Sequence, residues 1–164
     1  MGVISMTKFM KTRLASAAIL IAGPLLFVAS ANAATAPADP CTLLTAAQVS
    51  SALAGTYVAP QKTVAPRPYR NTVEGTDCNY RGNRGGELLF RIYFDPSAGD
   101  ATSLFAKLKM FYGPPTPVSI GDEAYFDGKG ALHARKGNVR FYLEAGEGKQ
   151  AALTALGGIV AGQL

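Results

Sequence analysis

Residues 131–145 read ALHARKGNVRFYLEA, and the alternation within them decides the fold. Val139, Phe141, Leu143 and Ala145 fall on one side of the second arm, with Arg140, Tyr142 and Glu144 on the other. In the first arm Leu132 and Ala134 oppose Ala131, His133 and Arg135. Successive strand side chains point to opposite faces, so each arm is expected to bury one face and wet the other. Between the arms, Lys136-Gly137-Asn138 supplies one residue free to take positive φ and another that tolerates it, which suits a tight reversal. A phosphate-touching loop is the competing reading, but no helix follows to aim amides at an anion. The stretch predicts a β-hairpin at the centre of an antiparallel sheet.

The flanking segments read as covers for that sheet. Thr45 with Gln48 three places on forms a capping box, Leu44 and Val49 occupy the staple positions, and Gly55 is a left-handed stop, predicting a helix over 45–54. Tyr57 to Ala65 is strand-like but carries Pro60, so it belongs at a sheet edge or is irregular. Residues 66–75 form an exposed loop, Cys78 to Arg81 a short strand, and Leu88 to Phe94 a strand apolar enough on both sides to lie inside the sheet. Ser97 opens a second helix over 98–112, in which Ala101, Leu104, Phe105, Leu108, Phe111 and Tyr112 make a wide apolar stripe. Val118 to Phe126 follows, with Gly121-Asp122-Glu123 inside it. Asp122 and Glu123 within it are neighbours and would face opposite ways, so they read as solvated turn acids, not a paired-carboxylate site. Lys149 to Leu164 has helical spacing despite Gly157-Gly158, which would let it approach the sheet closely. The fold class expected is α+β: an antiparallel sheet covered by two or three helices.

The first 33 residues read as a secretory signal peptide. Lys8, Lys11 and Arg13 precede an apolar run from Leu14 to Ser30, and Ala31-Asn32-Ala33 supplies small residues for cleavage. The run is broken by Gly23-Pro24 and falls short of the ~20 residues of a membrane span; a retained anchor is the alternative. Cleavage near Ala33 leaves a flexible Ala/Pro lead-in over 34–40 and one domain over 41–164. It also discards three of the 16 Lys and Arg residues, leaving 13 against 11 Asp and Glu. No stripe of basic residues remains, which argues against nucleic acid or a polybasic membrane contact as partner. The mature chain is expected to be secreted or periplasmic, with no membrane span.

Cys41 and Cys78 are the two cysteines. An even count in an exported chain points to a disulfide. A thiol nucleophile would need a base, and the single histidine, His133, is far along the chain. Two cysteines and one histidine are too few for a structural zinc site unless a carboxylate completes it. No cofactor or metal motif is present.

The opening Asp39-Pro40-Cys41-Thr42-Leu43-Leu44-Thr45-Ala46-Ala47-Gln48-Val49, then Cys78 with Tyr80 two places on, then Ile120-Gly121-Asp122-Glu123-Ala124-Tyr125 ahead of a Lys-Gly-Asn turn, together form a pattern. It resembles small secreted bacterial envelope domains of unknown function, many of them in actinobacterial lipoproteins. The resemblance implies an α+β fold with one disulfide and carries over no catalytic residues. This chain departs from the lipoprotein members in lacking a lipidation cysteine.

These readings converge on an exported, non-enzymatic binding or protein-interaction module. The expected contact surface is a solvated sheet face with His133, Arg135, Arg140 and Tyr142, together with Arg67, Tyr69 and Arg70 of the loop, because arginine and tyrosine anchor interfaces. A carrier of a small apolar ligand is the second reading, with Phe90, Phe94, Phe105 and Phe111 lining a cavity between helix and sheet. A hydrolase with His133 as base is the third, and the sequence holds no nucleophile elbow, P-loop or metal-ligand spacing for it.

Overall fold

The hairpin forms as its alternation requires. In the computed structural model, which describes residues 34–164, strands Leu132–Lys136 and Val139–Glu144 pair antiparallel from Lys136↔Val139 to Leu132↔Leu143. Gly137 takes φ 56° at the first central position of the two-residue turn, where type II′ connections carry glycine. The expected leader over residues 1–33 and its cleavage site lie outside the described residues.

In chain order, a 3-10 turn (Pro40–Leu43) and α1 (Ala46–Leu53) precede β1 (Gln61–Ala65), β2 (Gly75–Arg81) and β3 (Glu87–Phe94). Helix α2 (Ala98–Phe111) leads to β4 (Thr116–Val118) and β5 (Glu123–Phe126). The hairpin strands are β6 and β7, and α3 (Gln150–Gln163) follows them. The seven strands form one antiparallel sheet in the order β1-β2-β3-β7-β6-β5-β4, so β7 holds the middle place. This is an α+β fold with one disulfide, Cys41–Cys78, whose Cα atoms lie 5.5 Å apart. No helix among the described residues is long and apolar enough to cross a membrane.

Local chemistry sets most of these bounds. Thr45 and Gln48 close the capping box in both directions, at 3.2 and 2.8 Å. The left-handed residue that ends α1 is Ala54 (φ 53°), not Gly55; glycine at 55 instead leaves room for the Tyr57 ring, 3.0 Å from where a Cβ would sit. Strand β1 does lie at an edge and starts just past Pro60. Strand β2 begins at Gly75, before the expected Cys78. The stretch over 118–126 carries the end of β4 and all of β5, which pair with each other; the expected turn at Gly121-Asp122 lies between them, with Glu123 opening β5. Gly121 turns between them at φ 60°, where a Cβ would come within 2.5 Å of the Arg135 carbonyl oxygen.

One face of the sheet carries a hydrocarbon core. Leu88, Phe90, Ile92, Leu132, Phe141 and Leu143 are buried there against Val49 and Leu53 of α1 and Leu153, Leu156 and Val160 of α3. Burying each of the larger side chains contributes about 1.5–3 kcal/mol. Gly157 brings α3 onto the sheet as expected, since a Cβ there would meet Leu132 Cδ2 at 2.6 Å. The disulfide joins the 3-10 turn to β2 inside the same core. Tyr80, two places past Cys78, donates its buried hydroxyl to the Leu44 carbonyl at 2.5 Å, with the Cys41 carbonyl 3.2 Å away.

Helix α2 packs on the opposite face. Of its expected apolar stripe only Ala101 and Phe105 are buried; Phe111 is 79% exposed and Tyr112 43%. The stripe is shallow because the face beneath it is not apolar.

Candidate functional site

Strand register lines up the residues of that second face in rows across the sheet. One row runs Thr63, Asp77, Arg91, Tyr142, His133, Tyr125, from β1 through β2, β3, β7 and β6 to β5. Beside it run Tyr93, Arg140, Arg135 and Glu123. Opposite residues in antiparallel strands stand close enough for side chains to interact. Here they interact mostly by charge and by ring contact.

Three cations of these rows are held by acids. Arg91 donates Nε and Nη2 to the two Asp77 carboxylate oxygens at 2.6 and 2.8 Å, a fork that raises the guanidinium pKa. Arg140 makes the same fork to Asp95, at 2.5 and 2.9 Å, and lies 4.8 Å over the Tyr93 ring. Both members of this pair are buried. Arg135 reaches the half-exposed Asp122 at 2.9 Å.

His133 is enclosed by rings. Tyr125 stacks parallel to it at 4.8 Å, while Tyr142 and Tyr112 approach at 4.9 and 5.0 Å. Its Nε2 sits 3.1 Å from Asp127 Oδ2, and Asp127 Oδ1 accepts from the Lys129 and Ala131 amides at 2.9 and 3.0 Å. Burial pushes the imidazole below its ordinary pKa and outweighs the pull of Asp127 and Glu144. Against an ionised Asp127 the neutral ring therefore carries its proton on Nε2. Burial also raises the pKa of Tyr93, Tyr125 and Tyr142, with the Glu144 carboxylate, which accepts the Tyr142 hydroxyl, adding to the last. These phenols stay neutral.

A cleft of about 260 Å³ opens over this assembly. Arg91, Tyr142 and His133 line it from the sheet, Leu108 from α2 and Tyr112 from the residue just past that helix, and Tyr93 with Pro66-Arg67-Pro68 from the remaining side. Tyr93 positions that lip by donating its hydroxyl to the Pro66 carbonyl at 2.9 Å. Gly75 makes the arrangement possible, because a Cβ there would lie 2.6 Å from the Tyr93 ring. A wider concavity of about 600 Å³ lies over the uncovered end of β1, β2, β3 and β7, with Gln61, Asn79, Leu89 and Glu144 in register beneath it. Its side chains lack comparable mutual support: Arg81 and Glu87 are 3.9 Å apart and well exposed.

The expected solvated face is therefore corrected. His133 and Arg140 are buried, and Arg135 and Tyr142 are half-buried, because α2 and the loop over 66–74 cover the face. Arg67, Tyr69 and Arg70 are exposed as expected. The cleft brings Arg67 together with His133 and Tyr142; Tyr69, Arg135 and Arg140 do not line it. The expected phenylalanine-lined cavity is corrected too. Phe90 and Phe94 belong to the hydrocarbon core, Phe105 packs edge-on against Tyr125 on the other face, and Phe111 points to solvent.

Sequence reasoning missed Asp77, Arg91, Tyr93, Asp95, Tyr112 and Asp127. The signal available was the polar half of each alternation, since Asp77, Arg91 and Tyr93 share the parity of Arg140 and Tyr142 once the register is known. Comparison with family models, curated proteins and solved structures finds no match to this chain.

Proposed function

We propose that the protein is an exported binding module whose ligand is a small ring-bearing molecule seated in the cleft over Arg91, Tyr142 and His133. The observation that carries this reading is that each of those three side chains is already fixed by an acid of the same face: Asp77, Glu144 and Asp127. Binding groups held before the ligand arrives lose little entropy on association. A volume near 260 Å³ suits a substituted ring, since a cavity of about 150 Å³ accommodates benzene. The lining residues include no serine, threonine or cysteine, and the Tyr93 and Tyr142 hydroxyls are engaged with the Pro66 carbonyl and the Glu144 carboxylate, not with His133. That favours binding over hydrolysis. Export is supported by the sequence of the leader and is compatible with the disulfide. The reading also accords with the resemblance of residues 39–146 to bacterial envelope domains.

The test is a titration of the oxidised protein with 2-naphthol followed by NMR. Chemical-shift changes are expected to concentrate at Arg91, Tyr93, Tyr112, His133 and Tyr142. Leu108→Trp, which fills the cleft from the exposed helix, should abolish them. Shifts scattered over the surface, or none at these residues, would overturn the reading.

A further inference from the structure

The space beside the cleft narrows the ligand further. Between the loop and α2 lies a second cavity, of about 480 Å³, and Arg67 lines both. It is flanked by Arg70 on the loop and by Ser103 and Lys107 on α2, with Asp95 and Asp100 at the other end. Asp95 is consumed by its fork with Arg140. Asp100 lies in the first turn of α2 with no cation paired to it among the described residues, and accepts from the Ser97 hydroxyl. Arg67 has only an exposed pair with Glu74, at 3.2 Å, which holds it weakly. Arg70 and Lys107 have no ion-pair partner among the described residues.

The second cavity thus offers three cations against one uncompensated carboxylate, while the first offers ring faces and two prolines. Alone, neither selects a ligand: aromatic walls accept any ring, and exposed cations any anion. Joined at Arg67, they select a molecule that has both. A ring bearing a positive charge would meet Arg67 and Arg91 in the cleft, and an uncharged ring would leave Arg70 and Lys107 unused.

We infer that the ligand is a small aromatic anion, with its ring in the cleft beside Tyr112 and Tyr142 and its carboxylate, sulfonate or phosphate group on Arg67, Arg70 and Lys107. This rests on the proposal that the cleft is the binding site. Guanidinium groups suit such a head because their donors match the spacing of two oxyanion oxygens.

Naphthalene-2-sulfonate, 2-naphthol and inorganic sulfate, each titrated into the oxidised protein under NMR detection, separate the two claims. The sulfonate is expected to bind about tenfold tighter than the naphthol and to move resonances of Arg70 and Lys107 as well as those of the cleft. That advantage should shrink as salt is raised, because the cations are exposed. The exposed double substitution Arg70→Ala/Lys107→Ala should bring the sulfonate to within about twofold of the naphthol and leave naphthol binding unchanged. Equal affinity of sulfonate and naphthol in the cleft would overturn the aromatic anion while leaving the cleft as a binding site. Sulfate binding as tightly as the sulfonate would overturn it as well, because the ring would then contribute nothing. If neither ring compound perturbs Tyr112, His133 or Tyr142, the cleft and the aromatic anion fall together.

Discussion

Arg140 and Asp95 are both almost fully buried, and each is the other's main compensation. Removing one partner of such a pair strands a charge, which costs about 3–5 kcal/mol, whereas replacing both with apolar groups is often close to neutral. Arg140→Met should therefore lower the unfolding free energy by several kcal/mol in a urea titration, and Arg140→Met/Asp95→Leu should recover much of the loss. His133 and Asp127 give the molecule a pH dependence. Tyr112, Tyr125, Tyr142 and Glu144 also face the imidazole. Its folded pKa lies below 6.5 because burial disfavours the imidazolium. Asp127 lies below 3.8: burial pushes it up, but hydrogen bonds from His133, Ala131 and Lys129 outweigh that. At both sites the unfolded chain binds the proton more readily than the folded one. Stability is accordingly lost as pH falls below 6.5 through the lowered value of His133, and again as it falls below 3.8 through that of Asp127. The melting temperature should drop between about pH 7 and 5, and His133→Gln should flatten that part of the curve. A melting temperature that rises on acidification would contradict the assignment of a neutral ring.

Among the elements, α3 shows how two adjacent glycines differ. Gly157 faces Leu132 and Ile120 at 2.6 and 3.1 Å from a would-be Cβ, inside a filled core, while Gly158 has nothing within 4 Å. Gly157→Ala is expected to destabilise by about 1–3 kcal/mol through overpacking. Gly158→Ala should stabilise by about 0.5–1 kcal/mol through helix propensity alone. Thermal unfolding of the two variants checks both signs at once. The close approach of α3 was legible in the sequence, as were the hairpin, the capping box at Thr45 and the edge position of β1, because each rests on local pattern. Helix α2 was legible as a helix but not in its packing. Its leucines and aromatics satisfy the periodicity of a core helix, yet the surface that receives them bears Arg91, Arg140, Tyr142 and His133. Periodicity records which residues could face inward; it says nothing of what they meet. The same gap hid the cleft. Two acids of this face, Asp95 and Asp127, stand at strand ends before Pro96 and Gly128, where a single sequence reads them as turn residues, and only the fold pairs them with Arg140 and His133 of neighbouring strands.

For the molecule as a whole, the two faces of the sheet divide the labour. The α1/α3 face is hydrocarbon closed by a disulfide, and the α2 face is ion pairs and rings around a cleft. The Cys41–Cys78 link spans 37 residues, for which chain-entropy arguments give roughly 4 kcal/mol. Cys41→Ala/Cys78→Ala should lose about 2–5 kcal/mol in denaturant unfolding. Because the link belongs to the other face, the variant should still bind cleft ligands under conditions where it remains folded. Loss of ligand binding by a folded, disulfide-free variant would show that the two faces are coupled. The lead-in over 34–40, expected to be loose, is held at both ends: Asp39 caps the 3-10 turn, and Asn138 exchanges hydrogen bonds with Ala34 at 2.7 and 3.0 Å. The same Asn138 amide donates to the Asp95 carbonyl at 2.9 Å, so Ala34 is fastened to the tip of the central hairpin. Asn138→Ala would release residues 34–38 and take a donor from the Asp95 carbonyl at once, so loosening that segment and weakening the hairpin tip would be a single event.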